Sequence, residues 1–315
     1  MCACILIALP ICMLTVLPRS PEQHPFVLSI MWQLHGALDT ARLHAAWRQL
    51  VATTPMLRTR FDLQALPQPQ QVVEPTAELP FGVSVHPDCT SVRARERLAQ
   101  QVMATERAEL SDLESAPLLR VRVLQFGADE HLMLLSIHHI IEDGWSLRLL
   151  VDAVAHGYNT PGVPLPPPPS YEVKLRHEAA LSAVPGSASE AFWQQAVHSL
   201  PSTARPIPAG LGALKMCCSE TATGVATRRR CVLDSAVLQR LRTLAVQERV
   251  TIAALCHTAW AIVQWVYEGA DADEVVFGCA LSGRTAPVPQ LAQVIRPLMT
   301  SDWPLMTSDW HLMTY

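Results

Sequence analysis

The apolar positions near the start of the chain change from the spacing of a strand to that of a helix. The stretch FVLSIMWQLHG (26–36) is rich in β-branched and aromatic residues, alternates in part and ends at a glycine, which predicts a strand. In LDTARLHAAWRQLVATTP (38–55) apolar residues recur every three or four positions, which predicts a helix with Asp39 or Thr40 as its cap. Strand character returns in MLRTRFDL (56–63).

The same two spacings continue through the middle of the chain. LLRVRVLQF (118–126) and EHLMLLSIH (130–138) are predicted strands separated by GADE, a sequence suited to a hairpin turn. The stretch SLRLLVDAVAHGY (146–158) has apolar residues on one helical face, and Ser146 is well placed to cap that helix. The further predicted elements are helices in 93–110, 190–197, 234–250 and 251–269 and a strand in 274–284.

A proline-rich stretch divides these elements into two groups. PGVPLPPPPS (161–170) has six prolines in ten residues, a composition that favours an extended and semi-rigid spacer. We therefore expect an N-terminal lobe in 20–160, a linker in 161–188 and a partial C-terminal lobe in 189–296.

The two ends of the chain differ from its middle. Residues 1–19 are uncharged up to Arg19, so they lack the positive charge that opens a signal peptide, and Pro10 and Pro18 suit a membrane span poorly. We expect a buried first element or a misplaced start codon there, in preference to a cleaved signal peptide or a membrane anchor. In 297–315 the heptad PLMTSDW occurs twice in succession. Its proline excludes a coiled coil, so we expect duplicated or frame-lost sequence with no fold of its own.

Composition and charge narrow the function classes. The 24 basic and 28 acidic residues are interspersed, whereas a nucleic-acid surface needs clustered Lys and Arg. The nine cysteines include no C-x-x-C pair, which argues against a zinc site. Because disulfides are uncommon in the cytosol, we interpret the cysteines as buried reduced thiols of a cytoplasmic protein.

The stretch HHIIEDGW (138–145) lies between a predicted strand and a predicted helix, where scaffolds commonly display reactive groups. Consecutive strand residues face opposite ways, so His138 and His139 are not expected to point into one site. Asp143 can brace the loop or pair with an arginine, and Gly144 permits close backbone approach. The pattern alone leaves three interpretations open: a catalytic base, a metal site, and a strand end that happens to carry histidines.

The sequence around this motif resembles one enzyme family. HHIIEDGWS is similar to the H-H-x-x-x-D-G motif of condensation domains from nonribosomal peptide synthetases, and its WS looks like the subtype that joins two L-configured residues. GALDTARLHAAWRQLVATTPMLRTRF, APLLRVRVLQFGADEHLMLLSIHH, EAFWQQAV and VVFGCALSGR resemble further family segments in the same order. The resemblance covers residues 20–299.

The chain departs from the family in three places. Thr53 and Thr54 stand where Arg-His is usual, and the S-x-A-Q opening motif is absent. The next family motif begins at VIRPLM (294–299) and is lost in the repeat, so the resemblance implies that the C-terminal part of a full domain is missing.

The resemblance implies a fold and a reaction. The fold class is mixed α/β with two chloramphenicol-acetyltransferase-like lobes, each a mixed sheet flanked by helices, the second lobe incomplete. The amine of one aminoacyl-pantetheine attacks the thioester carbonyl of another in a tunnel between the lobes. The substrates are carried on the 4'-phosphopantetheine of donor and acceptor carrier domains, with an adenylation domain adjacent. The domain itself is expected to bind no cofactor, no metal, no nucleic acid and no membrane.

The resemblance also implies roles for the residues that surround the reacting groups. His139 faces the tunnel and orients the attacking amine, with proton abstraction as its second role. The backbone N–H of Gly144 polarises the developing oxyanion. His138 packs inside the fold, and we expect Trp145 to lie in the core rather than against substrate.

Asp143 receives a structural role by the same resemblance. It is expected to form an ion pair with an arginine that fixes the loop, with Arg58 as the first candidate and Arg284 as the second. Two alternative functions remain beside the synthetase domain. One is a CoA-dependent acyltransferase of the same superfamily, and the other is an inactive truncated fragment that retains at most carrier-protein contacts.

Overall fold

The chain forms two compact units. The computed structural model describes residues 3–5, 26–65, 69–182, 191, 192, 194, 195, 198, 231–268, 274–277, 279–284, 286–296, 298, 300–302 and 305–307. The first unit comprises Met1–Ser182 with Ser282–Met299, and the second comprises Ala183–Leu281 with Thr300–Tyr315.

The described part of the first unit contains both strands and helices. Its strands are β1 (Ala3–Ile5), β2 (Val27–His35), β3 (Thr59–Asp62), β4 (Gln70–Val73), β5 (Phe81–Val85), β6 (Leu119–Gln125) and β7 (Glu130–His138). Its helices are α1 (Thr40–Thr53), α2 (Val92–Glu109), α3 (Gly144–Asn159) and α4 (Glu172–Ser182), with 3-10 turns at Pro55–Arg58 and Leu291–Gln293.

The main sheet of this unit has the order β2-β7-β6-β5. Strand β7 is antiparallel to both of its neighbours, whereas β5 and β6 are parallel and are connected through α2, since a parallel pair needs a crossover. The register sets Val27 opposite His138, so the end of β7 lies beside the start of β2. A second sheet has the order β1-β4-β3.

Both faces of the main sheet are covered. Buried residues of α1 and α3 form one core with the sheet, while α2 packs against the other face. This is why EHLMLLSIH is a continuous apolar run rather than an alternating one. The fully buried members of the larger core include Trp47, Leu57, Phe61, Leu119, Val121, Leu135, Ile137, Ile141 and Leu150.

The described part of the second unit contains helices α5 (Ser235–Gln247) and α6 (Ile252–Glu268) and strands β8 (Glu274–Val276), β9 (Cys279–Leu281), β10 (Thr300–Asp302) and β11 (Leu305–Thr307). Strand β10 pairs with β9 and β11 pairs with β8, both antiparallel. A small apolar cluster joins α6 to the strands through Ala261, Trp265, Val275 and Phe277.

The predicted mixed α/β class is confirmed, and most predicted elements lie where the periodicity put them. The cap of α1 is Asp39, whose Oδ1 accepts a hydrogen bond from the Arg42 backbone N–H at 2.9 Å. The strand predicted in 56–63 is shorter, because Pro55–Arg58 form a 3-10 turn before β3. Of the helix predicted in 190–197, the described residues 191, 192, 194 and 195 are helical. Most of residues 1–19 lie outside the described residues, although β1 belongs to that segment.

Three expectations about domain limits differ from the structure. Residues 282–299 belong to the first unit rather than to a C-terminal lobe, because the Arg284 side chain and the backbone N–H groups of Arg296 and Leu298 enter its buried polar network. The segment expected as a linker contributes α4 and the buried Leu165 to the first unit. The repeat tail, expected to have no fold, contains β10 and β11 among its described residues.

Among the helices that the structure describes, none alone has the length and apolar composition of a membrane span. The helices Ser235–Gln247 and Ile252–Tyr267 meet that criterion only as a pair, bent by 103°.

Candidate active site

The stretch HHIIEDGW forms the turn between β7 and α3. The His139 backbone N–H donates to the Phe26 carbonyl at 2.7 Å, which ties the turn to the start of β2. Asp143 is the N-cap of α3, and its Oδ1 accepts a hydrogen bond from the Ser146 backbone N–H at 2.7 Å. The prediction that Ser146 caps this helix is therefore wrong by three residues. The Asp143 carboxylate satisfies the Ser146 backbone N–H, an orphan donor of the first turn, and leaves the Ser146 hydroxyl for other contacts.

His138 lies in the interior, with only 2% of its surface exposed. Its Nδ1 accepts a hydrogen bond from the Ile140 backbone N–H at 3.1 Å, and its ring centroid lies 6.5 Å from that of Phe26. These contacts fix the turn from inside. His138 therefore occupies a structural position, separate from that of its neighbour.

His139 is partly exposed, with 29% of its side chain accessible. Its Nδ1 lies 2.6 Å from the backbone carbonyl oxygen of Glu142. A carbonyl oxygen can only accept, so Nδ1 carries the hydrogen and donates, and the neutral ring keeps its lone pair on Nε2. No described residue forms a hydrogen bond with that Nε2. This ring is oriented by the backbone and presents a free basic nitrogen.

Asp143 and Arg284 form a buried, two-pronged ion pair. Arg284 Nη1 donates to Asp143 Oδ2 at 2.8 Å, and Nη2 donates to Oδ1 at 3.1 Å. Asp143 is fully buried and 3% of the Arg284 side chain is exposed. The Leu298 backbone N–H donates to Asp143 Oδ2 at 2.9 Å. Burial would raise the pKa of Asp143, but the hydrogen bonds from Arg284, Leu298 and Ser146 outweigh it and hold that pKa below its usual value.

Arg58, the first candidate for this ion pair, is not the partner of Asp143. Its Nη1 donates to the backbone carbonyls of Glu74 and, at 2.9 Å, of Pro75. Arg58 thus holds the chain that follows β4. The second candidate, Arg284, makes the pair because 282–299 folds back into the first unit, a tertiary fact that the spacing of the two arginines does not reveal.

Ser146 and Arg296 extend the network around the ion pair. The Ser146 hydroxyl donates to the Arg296 carbonyl at 2.9 Å and accepts from the Arg296 backbone N–H at 3.0 Å and from Arg284 Nη2 at 3.1 Å. Gly283, with φ of +64°, makes the turn that delivers Arg284. A Cβ at this glycine would lie 1.6 Å from the Leu298 carbonyl oxygen, so this position requires glycine.

Gly144 and Trp145 start α3 on the side of the turn that solvent reaches. A Cβ at Gly144 would meet no atom within 4 Å, so the glycine leaves open space at this point. Trp145 is 48% exposed, and its Nε1 donates to the Ala292 carbonyl at 2.8 Å. The expectation that Trp145 lies in the core is therefore wrong, because the indole is anchored by its N–H while much of the ring remains outside.

Glu142 is a residue of this site that the sequence did not single out. It is fully buried, and neither carboxyl oxygen accepts a hydrogen bond from the residues that the structure describes. Its Oε1 lies 3.8 Å from His139 Nδ1. Burial raises the pKa of Glu142 to about 7, an effect that the charge of His139 lessens and that of Asp143 reinforces. A Glu before Asp-Gly in a turn carries no signal by itself.

The described residues hold no group of three or more His, Cys, Asp and Glu side chains placed to bind a metal ion. The geometry of the described turn offers acid–base and positioning chemistry from the His139 imidazole, the Glu142 carboxyl group and the start of α3. Asp143 and Arg284 offer a rigid support beneath them.

Comparisons of most of the chain with known proteins match it to a condensation-domain model and to two much longer synthases or synthetases. A family model described as "Condensation domain" matches residues 8–296. Chondramide synthase cmdD of Chondromyces crocatus is 30% identical over 282 residues, which cover 87% of this chain and 7% of that protein. Malformin synthetase mlfA of Aspergillus tubingensis is 29% identical over 290 residues, which cover 92% of this chain and 5% of that protein. The chain thus spans a small part of the length of these curated relatives.

Solved structures with the same fold include condensation domains of other synthases and synthetases. The first condensation domain of the calcium-dependent antibiotic synthetase, in complex with a substrate analogue, superposes with a TM-score of 0.72 and 19% identity, covering 98% of this chain and 69% of that one. A structure from work on condensation domain-mediated chain release from the enacyloxin polyketide synthase superposes with a TM-score of 0.69 and 21% identity. The match covers 93% of this chain and 55% of that one. At these identities the likeness establishes the fold.

Proposed function

This chain belongs to the condensation-domain family, and we propose that it forms a peptide bond between two carrier-bound aminoacyl or peptidyl thioesters in nonribosomal peptide biosynthesis. Condensation domains are acyltransferases that make amide bonds. The observation that carries the proposal is the His139 ring, partly exposed, held through Nδ1 by the Glu142 carbonyl and left with a free Nε2. A nitrogen in that state can accept a hydrogen bond from an attacking amine.

The proposed reaction moves one proton and exchanges one bond. The acceptor amine forms the new C–N bond at the donor thioester carbonyl, and His139 Nε2 takes the proton that the nitrogen loses. The C–S bond then breaks, and the proton leaves with the pantetheine thiol. The Gly144 backbone N–H, at the start of α3, supports the negative charge that develops on the carbonyl oxygen.

Orientation is the first role of His139 in this proposal, and proton transfer is the second. An α-amino group titrates near 8, so about a tenth of it is already neutral at pH 7 without help. A general base therefore contributes less here than it does for a hydroxyl nucleophile. Holding the amine in line with the carbonyl is the larger effect, of several kcal/mol in well-oriented systems (about 7 or more).

Asp143 and Arg284 support this site without touching substrate. Their ion pair is buried and receives further hydrogen bonds from the chain at Leu298 and from Ser146. We propose that the pair fixes the turn, so that the Glu142 carbonyl and the start of α3 stay in place. Arg58, which holds a different segment, has a structural role outside the site.

The proposed partners follow from the family. Donor and acceptor carrier domains would present the substrates on 4'-phosphopantetheine, and an adenylation domain would load the acceptor. The domain itself would bind no cofactor. We propose the cytoplasm as its location, in keeping with Cys89, Cys231 and Cys256, which are unpaired thiols. The expectation that the cysteines are buried is wrong for these three, because Cys89 is partly exposed and Cys231 and Cys256 are exposed.

The proposal is tested by offering the chain two loaded carrier proteins and measuring the dipeptidyl thioester by mass spectrometry. We expect product with the wild-type chain and none above background with His139→Gln. His156→Gln, at an exposed histidine of α3, is the matched control and should retain full activity. Absence of product with both carriers loaded contradicts the proposal, and acyl transfer from free CoA thioesters instead would assign the CoA-dependent alternative.

A further inference from the structure

We infer that Glu142 is a positioning residue of the proposed reaction, whose buried carboxylate stabilises the protonated His139 ring from its Nδ1 side. The inference rests on the proposed function, because in the reaction it is the proton of the amine, taken by Nε2, that makes the ring positive. Glu142 occupies one of the unspecified positions of the motif, so neither the motif nor the family match assigns it a role.

The geometry gives Glu142 two contacts with the same ring. Its backbone carbonyl accepts the Nδ1 hydrogen at 2.6 Å, and its side-chain Oε1 lies 3.8 Å from the same nitrogen. The first contact sets the ring's tautomer and orientation. The second places a carboxyl group beside the edge of the ring that stays protonated throughout the reaction.

The burial of this carboxyl group is what makes the contact effective. Glu142 is fully buried, and neither of its oxygens accepts a hydrogen bond from the described residues. A carboxylate in that state lacks the donors that normally compensate its charge. Among the described residues, His139 is the group that lowers the pKa of Glu142, so a positive charge on this ring favours the ionised carboxylate.

The charged groups around Glu142 support this arrangement. His139 lowers the pKa of the carboxyl group, and Asp143 raises it. The charge of Asp143 is compensated by Arg284, whose two guanidinium nitrogens are bound to it. Burial, the largest effect, brings the pKa of Glu142 to about 7, so the carboxyl group changes its charge near neutral pH.

The proton balance needs no transfer to Glu142. The amine's proton moves to Nε2 and then to the departing thiol, while the Nδ1 hydrogen stays on the ring. Glu142 supplies charge at the moment when the ring is positive. This distinguishes a positioning residue from a second base.

The first test needs no catalysis. The titration of the Glu142 carboxyl carbon is followed by 13C NMR, with through-bond assignment, in the wild-type chain and in His139→Gln. Removal of the ring that lowers this pKa should raise the midpoint by about one pH unit. An unchanged midpoint would overturn the inference, whether or not the chain makes peptide bonds.

The second test measures kinetics with the two-carrier assay. Glu142→Gln keeps the shape of the side chain and its backbone carbonyl but removes the charge, and Glu114→Gln at an exposed position is the matched control. We expect kcat to fall about tenfold in Glu142→Gln, as for the loss of one pKa unit of charge stabilisation, with KM unchanged. An active wild-type chain with an equally active Glu142→Gln variant refutes the role of Glu142 and leaves the proposed function standing. An inactive wild-type chain refutes the proposed function, and the NMR titration then decides on the contact.

Discussion

Replacing Glu142 with glutamine removes an ionisable group from a fully buried position while keeping the shape of the side chain. The wild-type carboxyl group has no hydrogen-bond donor among the described residues, so its charge is poorly compensated in the folded chain. Glutamine carries no charge at any pH. The wild type and Glu142→Gln should therefore differ little in packing, but their free energies of unfolding should respond differently to pH.

The sign and size of the difference follow from the pKa of Glu142. Burial raises this pKa from its usual 4.5 to about 7 in the folded chain. Well below pH 4.5 the group is protonated in both the folded and the unfolded chain, so its ionisation does not lower the free energy of unfolding. Between 4.5 and about 7 the unfolded chain loses the proton while the folded chain keeps it, so the free energy of unfolding falls as the pH rises. Above about 7 the loss is complete and amounts to about 3 kcal/mol.

The assay is urea unfolding of the wild type, Glu142→Gln and Glu114→Gln at a series of pH values from 4.5 to 8. Glu142→Gln should gain on the wild type with rising pH, by about 3 kcal/mol across the series. Glu114→Gln should follow the wild type, because its carboxyl group is exposed. Parallel curves for the wild type and Glu142→Gln would refute the reasoning, since they would mean that Glu142 titrates alike in the folded and unfolded chains.

Three further predictions concern the support of the site. Asp143→Ala should lower the free energy of unfolding by about 3–5 kcal/mol, because it leaves a buried guanidinium unpaired, whereas His139→Ala should spare folding; similar losses in urea unfolding would contradict this division. Gly283→Ala should cost about 4 kcal/mol or more, since its Cβ would overlap the Leu298 carbonyl, and a thermal midpoint equal to the wild type would contradict that. Gly144→Ala should unfold like the wild type but form product at least about tenfold more slowly if substrate needs that space; unchanged rates would show that it does not.

The elements of the main sheet were predictable because their signals are local. Alternation and β-branched residues mark β2, helical spacing marks α1, and Asp39 caps that helix through a residue only three positions away. The long-range parts of the site were not. Choosing Arg284 over Arg58 as the partner of Asp143 depends on how residues 282–299 return to the first unit, and no short pattern encodes that path.

Two neighbouring carboxyl groups at the turn show how the same burial leads to different chemistry. Asp143 and Glu142 are both fully buried. Asp143 accepts four hydrogen bonds, two from Arg284 and one each from the Ser146 and Leu298 backbones, and its pKa is lowered, so it stays ionised as a fixed support. Glu142 accepts none from described residues, and its pKa is raised to about 7. Environments that separate two acids in this way commonly separate their roles. Asp143, whose pKa is lowered, holds the turn, and Glu142, whose pKa is raised to about 7, is free to respond to the charge of His139.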